Sequence, residues 1–74
     1  MKRSQHVVPT ISGGWAVRKA GAARASKLFE NQQEAVTYAE HLAEQARSAM
    51  YIHRSDGTVQ GRRDFGAGQF LSKA

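Results

Sequence analysis

The 74-residue sequence contains no cysteine and a single proline. Without cysteine the chain forms neither a disulfide framework nor a thiolate metal site, so a reducing compartment is permitted. No apolar run approaches the roughly 20 residues of a membrane span. The first apolar run breaks at Pro9 and is too short for a signal peptide. We therefore expect a cytoplasmic protein with no membrane partner.

The chain is also short of acidic residues, with 6 Asp and Glu against 11 Lys and Arg. The net charge of +5 and the isoelectric point of about 10.3 favour anionic partners. Negative charge is concentrated in residues 32–49, and both flanking stretches are basic. At 8.1 kDa the chain forms one domain that buries only about 60% of its unfolded surface, which disfavours a deep cavity or a small-molecule substrate.

One segment has a clear helical pattern. Asn31 can cap a helix, and Glu34 stands at the third helical position. Small apolar residues then recur at helical spacing, which predicts an apolar stripe; its members are Ala35, Ala39, Leu42, Ala43 and Ala46. A mostly alanine stripe lets the helix lie close to what it covers, and a sheet is the only element large enough.

The flanks predict β-strands over residues 6–11, 15–20, 23–29, 50–55 and 58–63. Gly13-Gly14 and Asp56-Gly57 supply turns, and Pro9 suggests that the first strand lies at a sheet edge. The predicted fold class is α+β: a single small domain, β-β-β-α-β-β, with an antiparallel or mixed sheet and one helix packed on one face. We expect residues 1–5 to be disordered, residues 6–66 to form the domain, and residues 67–74 to be a flexible tail unless Phe70 and Leu71 dock on an apolar patch.

Successive side chains of a strand point to opposite faces, so the pattern assigns residues to the covered and open faces of the sheet. Trp15, Val17, Ile52 and Val59 are expected to face the helix. The residues expected on the open face are Ala16, Arg18, Tyr51, His53, Thr58, Gln60 and Arg62.

The strings HVVP, GGWAVRKAGAARAS, NQQEAV and IHRSDGTVQGRRDFG resemble a family of short bacterial and phage proteins catalogued as domain of unknown function 2188. The resemblance covers residues 6–66. It implies a shared compact fold and no particular activity. In that fold Trp15 would anchor the core, Asn31 would cap the helix, and Gly13, Gly14 and Gly57 would form turns.

The open face suggests two functions. The first is a nucleic-acid-binding module without chemistry, in which arginines contact phosphates, a tyrosine ring stacks and polar groups meet bases or sugars. The candidate residues are Arg18, Tyr51, His53, Arg54, Gln60, Arg62 and Arg63. The alternative is a protein-interaction module that pairs with a second copy or with an acidic protein. The arginines could equally be a solvated edge that discourages aggregation.

Catalysis and metal binding are not expected. His6, His41 and His53 lie on three different predicted elements without metal-ligand spacing. His53, Ser55 and Asp56 are too close along one strand to form a catalytic triad. We therefore predict no enzyme activity and no cofactor.

Overall fold

A computed structural model describes residues 3–65 of the chain. It contains five strands and one helix in the order β-β-β-α-β-β, which confirms the predicted α+β class. The elements are β1 (Gln5–Pro9), β2 (Trp15–Lys19), β3 (Lys27–Phe29), α1 (Gln32–Ala46), β4 (Ala49–His53) and β5 (Val59–Asp64). The predicted tail of residues 67–74, including Phe70 and Leu71, lies outside the described residues.

The five strands form one mixed sheet in the order β3-β2-β1-β4-β5. The first three strands form an antiparallel meander, and α1 then returns the chain to the other side of β1. There β4 pairs with β1 in parallel and β5 pairs with β4 antiparallel. The N-terminal strand therefore lies at the centre of the sheet, between β2 and β4.

The edge position predicted for the first strand from Pro9 is wrong. Pro9 is the last residue of β1, and the pairing of β1 with β4 already ends at Val7 and Ile52. The neighbouring Thr10 donates its N–H to the carbonyl of Gly14 on the β2 side, so the nitrogen of Pro9 faces the β4 side, where no partner strand remains. A proline fits a central strand there because no ladder hydrogen bond is lost.

The two ends of α1 are closed by different means. Asn31 has extended backbone and its Oδ1 accepts a hydrogen bond from the N–H of Glu34 at 2.8 Å, as the sequence predicted. At the other end Arg47 adopts the left-handed conformation with φ 54°. The N–H groups of Arg47 and Ser48 then bond to the carbonyls of Glu44 and Ala43, which satisfies two of the last helical carbonyls.

The core lies between α1 and one face of the sheet. Ala35, Ala39 and Ala43 are fully buried, and so are Val7 and Val17 on the central strands. Met50 completes the buried cluster, and Trp15, Phe29, Val36, Tyr38, Ile52 and Phe65 pack around it while partly exposed. The alanine stripe thus brings the helix backbone close to the sheet. No helix within residues 3–65 is long and apolar enough to cross a membrane.

A β-bulge interrupts the last hairpin. Ile52 pairs with Gly61, but the next residue, His53, pairs with Val59, so Gln60 is an extra residue on β5. The regular alternation predicted for this strand therefore fails at this point. Val59 was predicted to face the helix; it lies opposite His53 and is 49% exposed.

Candidate functional site

Four side chains form a row across the open face of the sheet, one from each of four adjacent strands. The strand registers place Arg18 opposite His6, His6 opposite Tyr51, and Tyr51 opposite Arg62. We call Arg18, His6, Tyr51 and Arg62 the cationic row. Strands are spaced by roughly 4.8 Å, so the backbones of the two arginines are about 14 Å apart. The row therefore places a guanidinium on either side of two rings.

The rings on and beside the cationic row stack on one another. The ring centroid of His6 lies 5.1 Å from that of Tyr51, with an interplanar angle of 12°. His6 also stacks on His53, with ring centroids 5.1 Å apart and an interplanar angle of 26°. The guanidinium carbon of Arg62 lies 5.6 Å from the centroid of the Tyr51 ring. Because His6 and Arg62 both pack on Tyr51, that ring offers less open surface to a base than the sequence analysis assumed.

His6 and His53 also form a direct hydrogen bond. Nδ1 of His6 lies 2.8 Å from Nε2 of His53, so one nitrogen donates and the other accepts. Partial burial lowers the pKa of His6 below its ordinary value, and the nearby His53 and Arg18 lower this pKa further. At neutral pH His6 is therefore an uncharged ring next to a permanent cation.

A pocket of about 310 Å³ opens beside this histidine pair. We call it the histidine pocket; it is lined by His6, Val8, Arg18, Lys19, Ala20, Gly21 and His53. The lining contains two imidazoles and two cationic residues but no carboxylate. Such a lining suits an anionic group far better than a cation.

At the other end of the cationic row, Arg62 is held by two neighbours. Its Nε donates to the hydroxyl of Tyr51 at 3.3 Å, and its Nη2 forms an ion pair with Asp64 at 3.0 Å. The contact with Tyr51 raises the pKa of Arg62, with a smaller contribution from Asp64. The Arg18 side chain, by contrast, makes no hydrogen bond or ion pair with any of residues 3–65. The two arginines therefore differ in how freely their guanidinium groups reach a ligand.

Not all of the predicted site residues lie on the open face. Arg18, Tyr51, His53 and Arg62 lie there, as the alternation predicted. Gln60 does not: it is the extra residue of the bulge, and its side chain accepts a hydrogen bond from Gln32 of α1 at 3.0 Å. The bulge is the physical reason for this error.

Two further arginines of the predicted set lie away from the cationic row. Arg63 faces the helix side, where its Nη1 forms an ion pair with Glu40 of α1 at 3.1 Å. Arg54 lies in the exposed β4–β5 turn and donates to the hydroxyl of Thr58 at 3.3 Å. The open face therefore uses only part of the arginine set that the sequence suggested.

Charge is distributed unevenly around the molecule. Glu34, Glu40 and Glu44 lie on α1, and Glu30 lies two residues before its first residue. Of the six acidic residues of the chain, Asp64 is the one that strand pairing places on the open face. Asp64 is bound to Arg62, and strand pairing within residues 3–65 places no carboxylate opposite Arg18.

His6 was not among the predicted site residues, although it lies at the centre of the site. Strict alternation along β1 would have placed His6 and Val7 on opposite faces of the sheet. Val7 and Val8 are both apolar, however, so the sequence of β1 shows no clear alternation of polar and apolar residues. The contact with His53 depends on the parallel pairing of β1 and β4. No local pattern in the sequence indicates that pairing.

The fold and the site define a class: a small basic α+β protein whose five-stranded sheet is covered by one helix and open on its other face. The model of the family described as "uncharacterized protein conserved in bacteria (DUF2188)" matches residues 5–65, and the chain belongs to this family.

Among curated proteins, the chain is similar to the uncharacterized protein YdaT of Bacillus subtilis (strain 168). The two are 33% identical over 60 residues, which cover 81% of this chain and 39% of that protein. The chain thus spans about two fifths of the length of this relative. No solved structure matches the chain significantly.

Proposed function

We propose that this protein is a non-enzymatic nucleic-acid-binding module that contacts the phosphate backbone of DNA or RNA through the open face of its sheet. The observation that carries the proposal is the cationic row, in which Arg18 and Arg62 flank the rings of His6 and Tyr51. A spacing of about 14 Å lets the two arginines contact different phosphates of one strand.

The contacts already made within the site favour phosphate binding over base stacking. Arg62 and His6 both pack on the Tyr51 ring, so a base would have to displace one of them. Both arginines remain exposed, and a phosphate can contact the Arg62 guanidinium while Tyr51 and Asp64 still hold it. We therefore expect binding with strong salt dependence and weak sequence preference.

Fluorescence anisotropy with labelled single-stranded DNA, single-stranded RNA and duplex DNA at low salt tests the proposal. Replacing both Arg18 and Arg62 by Gln should weaken binding and reduce the slope of log affinity against log salt by about two. A matched control removes the same charge elsewhere, with Arg24→Gln in the β2–β3 turn and Arg47→Asn after α1, where Asn tolerates the left-handed backbone.

The control should keep the salt slope of the wild-type protein. Absence of binding to all three probes at low salt would contradict the proposal. So would an equal loss of affinity in both double variants, since the binding would then depend on net charge rather than on the cationic row.

A second candidate function is self-association through the same face. Leu28 on the edge strand β3 is 67% exposed and lies opposite Ala16, which in turn lies opposite Val8. Of these three residues Ala16 is buried and Val8 is half-buried, so Leu28 supplies most of the apolar surface that a second copy would cover. Two basic faces repel each other, which places this candidate behind the first.

Sedimentation equilibrium of the wild-type protein and of Leu28→Lys tests self-association. A dimer that dissociates in the variant would support it, and a wild-type monomer at high concentration would contradict it. An acidic protein is the third candidate partner of the open face. Adding an acidic polypeptide such as polyglutamate to the same sedimentation experiment tests it.

A further inference from the structure

The histidine pocket combines one permanent cation with two rings that can gain charge. Arg18 lines the pocket with a guanidinium that has no partner within residues 3–65, and His6 and His53 line it with hydrogen-bonded imidazoles. A volume of about 310 Å³ is ample for a phosphate group and its neighbouring atoms. This lining differs from that of an ordinary basic surface, because the charge of its two imidazoles depends on protonation.

The hydrogen bond between the two rings limits how many protons the pair can hold. When both rings are neutral, one donates its N–H to the other, and each ring keeps one nitrogen directed away from the contact. One added proton goes to the outer nitrogen of the donating ring and leaves the shared hydrogen bond intact. A second added proton would set N–H against N–H and break it. The pair can therefore switch between charges of zero and one without losing its geometry.

The surroundings of the pair oppose that proton when no ligand is bound. Arg18 faces His6 from β2, and Lys19 lines the same pocket. On the β4 and β5 side, Tyr51 stacks on His6, and its hydroxyl accepts from Arg62, which is ion-paired with Asp64 so that the charges balance. Helix α1 packs on the opposite face of the sheet. A negatively charged ligand in the pocket would offset these positive charges and favour protonation of the pair.

We propose that the histidine pocket binds one phosphodiester group of the nucleic-acid strand, with Arg18 as its permanent cation and the His6–His53 pair taking up one proton from solvent as the phosphate enters. This inference rests on the proposed function, because the strand must run along the cationic row to bring a phosphate into the pocket. The phosphate oxygens accept hydrogen bonds from Arg18 and from the protonated pair. No covalent bond changes in this step.

The consequence is binding that strengthens as the pH falls. A phosphodiester keeps its single negative charge across the range in which histidine titrates, so any pH dependence belongs to the protein. If one proton is taken up for each strand bound, affinity rises by up to about tenfold for each pH unit between about pH 8 and about pH 5.5. Binding to permanent arginines alone would show no such rise.

The experiment measures anisotropy of a fluorescently labelled oligothymidine strand without a terminal phosphate, at constant ionic strength, over that pH range and with EDTA present throughout. The test variant is the double substitution His6→Gln plus His53→Gln, which removes both rings that can take up the proton. The matched control is His41→Gln, because His41 is an exposed histidine of α1 on the other side of the sheet. Thermal melts verify that each variant is folded.

We expect the wild-type protein and His41→Gln to bind more tightly as the pH falls, and the double pair variant to lose most of this dependence. Arg18→Gln should weaken binding at every pH and keep the slope. Equal pH dependence in the double pair variant and the wild-type protein would overturn the inference. If the pair variant does not fold, NMR of the histidine ring nitrogens in the wild-type protein tests the inference instead. Strand binding must then shift His6 or His53 toward the protonated form.

The failures of the two proposals are distinguishable. If a strand binds with strong salt dependence but without histidine-linked pH dependence, the inference about the histidine pocket is wrong. The proposed nucleic-acid binding through the open face is then still supported. The absence of any strand binding overturns the function, and the pocket falls with it.

Discussion

Nδ1 of His6 and Nε2 of His53 lie 2.8 Å apart, although the two residues are 47 positions apart in the chain. The contact forms because β1 and β4 are parallel neighbours at the centre of the sheet, and both side chains point away from α1. A hydrogen bond between two partly buried rings couples their protonation to the folded state, which has consequences for stability.

Stability should decrease in mildly acidic solution because of His6. Burial, His53 and Arg18 lower the pKa of His6 below the value of 6.5 that it has in the unfolded chain. Above pH 6.5 neither state is protonated at His6, and the full stability is present. As the pH falls below 6.5, the unfolded chain takes up a proton that the folded protein resists, so the free energy of unfolding decreases until the lowered pKa is passed.

Thermal melts followed by circular dichroism between about pH 7.5 and about pH 5 would measure this effect. His6→Gln should flatten the decrease, and His41→Gln should leave it unchanged, since His41 is exposed on α1. A decrease of the same size in all three proteins would show that other groups are responsible.

Gly14 should tolerate no side chain. A Cβ at this position would lie 2.6 Å from the carbonyl oxygen of Phe29, which belongs to the neighbouring strand. Because that atom is backbone, it cannot move without disturbing the β2–β3 pairing, and we expect Gly14→Ala to lower the free energy of unfolding by about 1–3 kcal/mol. Chemical denaturation measures the loss.

Gly61 provides the control for this substitution. A Cβ there would lie 3.8 Å from Cδ1 of Ile52, an ordinary contact with a side chain. Gly61→Ala should therefore be neutral or stabilising by up to about 1 kcal/mol, since it also restricts the unfolded chain. If both glycine substitutions were equally harmful, the close approach at Gly14 would not be the cause.

Replacement of Arg47 by glycine should stabilise the protein. It is the one non-glycine residue with positive φ within residues 3–65, at 54°, and it ends α1. A side chain costs about 1 kcal/mol in this conformation, whereas glycine adopts it freely. We expect Arg47→Gly to raise the midpoint of urea unfolding, by about 1 kcal/mol in stability.

Glycine introduced two positions earlier should lower the stability of the protein instead of raising it. Gln45 is exposed inside the helix, so Gln45→Gly should cost about 0.5–1 kcal/mol through lost helix propensity. Should Arg47→Gly destabilise the protein as much as Gln45→Gly does, the strain at the helix end would be refuted.

The close packing of α1 on the sheet should make Ala39 intolerant of larger residues. Ala39 is fully buried in the middle of the stripe, against the central strands. Ala39→Leu would push the helix away from the sheet and should cost about 1–3 kcal/mol. Thr37→Leu makes a comparable addition on the exposed side of α1 and should change stability little. Equal melting temperatures for the two variants would contradict this packing argument.

Local patterns were sufficient for the elements and for much of the site. Asn31 and the alanine spacing predicted α1, and alternation placed Arg18 and Tyr51 on the open face, where the structure has them. These predictions succeed because capping and alternation act between residues close in sequence. Gln60 and Val59 were assigned to the wrong faces because a bulge adds a residue to one strand only, and no nearby signal marks it.

By itself, then, the sequence determined a basic chain with one helix, five strands and an open face that carries arginines and rings, since charge and periodicity are properties of neighbouring residues. Only the tertiary structure decided that β1 lies at the centre of the sheet, that Arg63 turns to Glu40, and that His6 meets His53. These features depend on strand order and register, which are set by the packing of the whole sheet against α1.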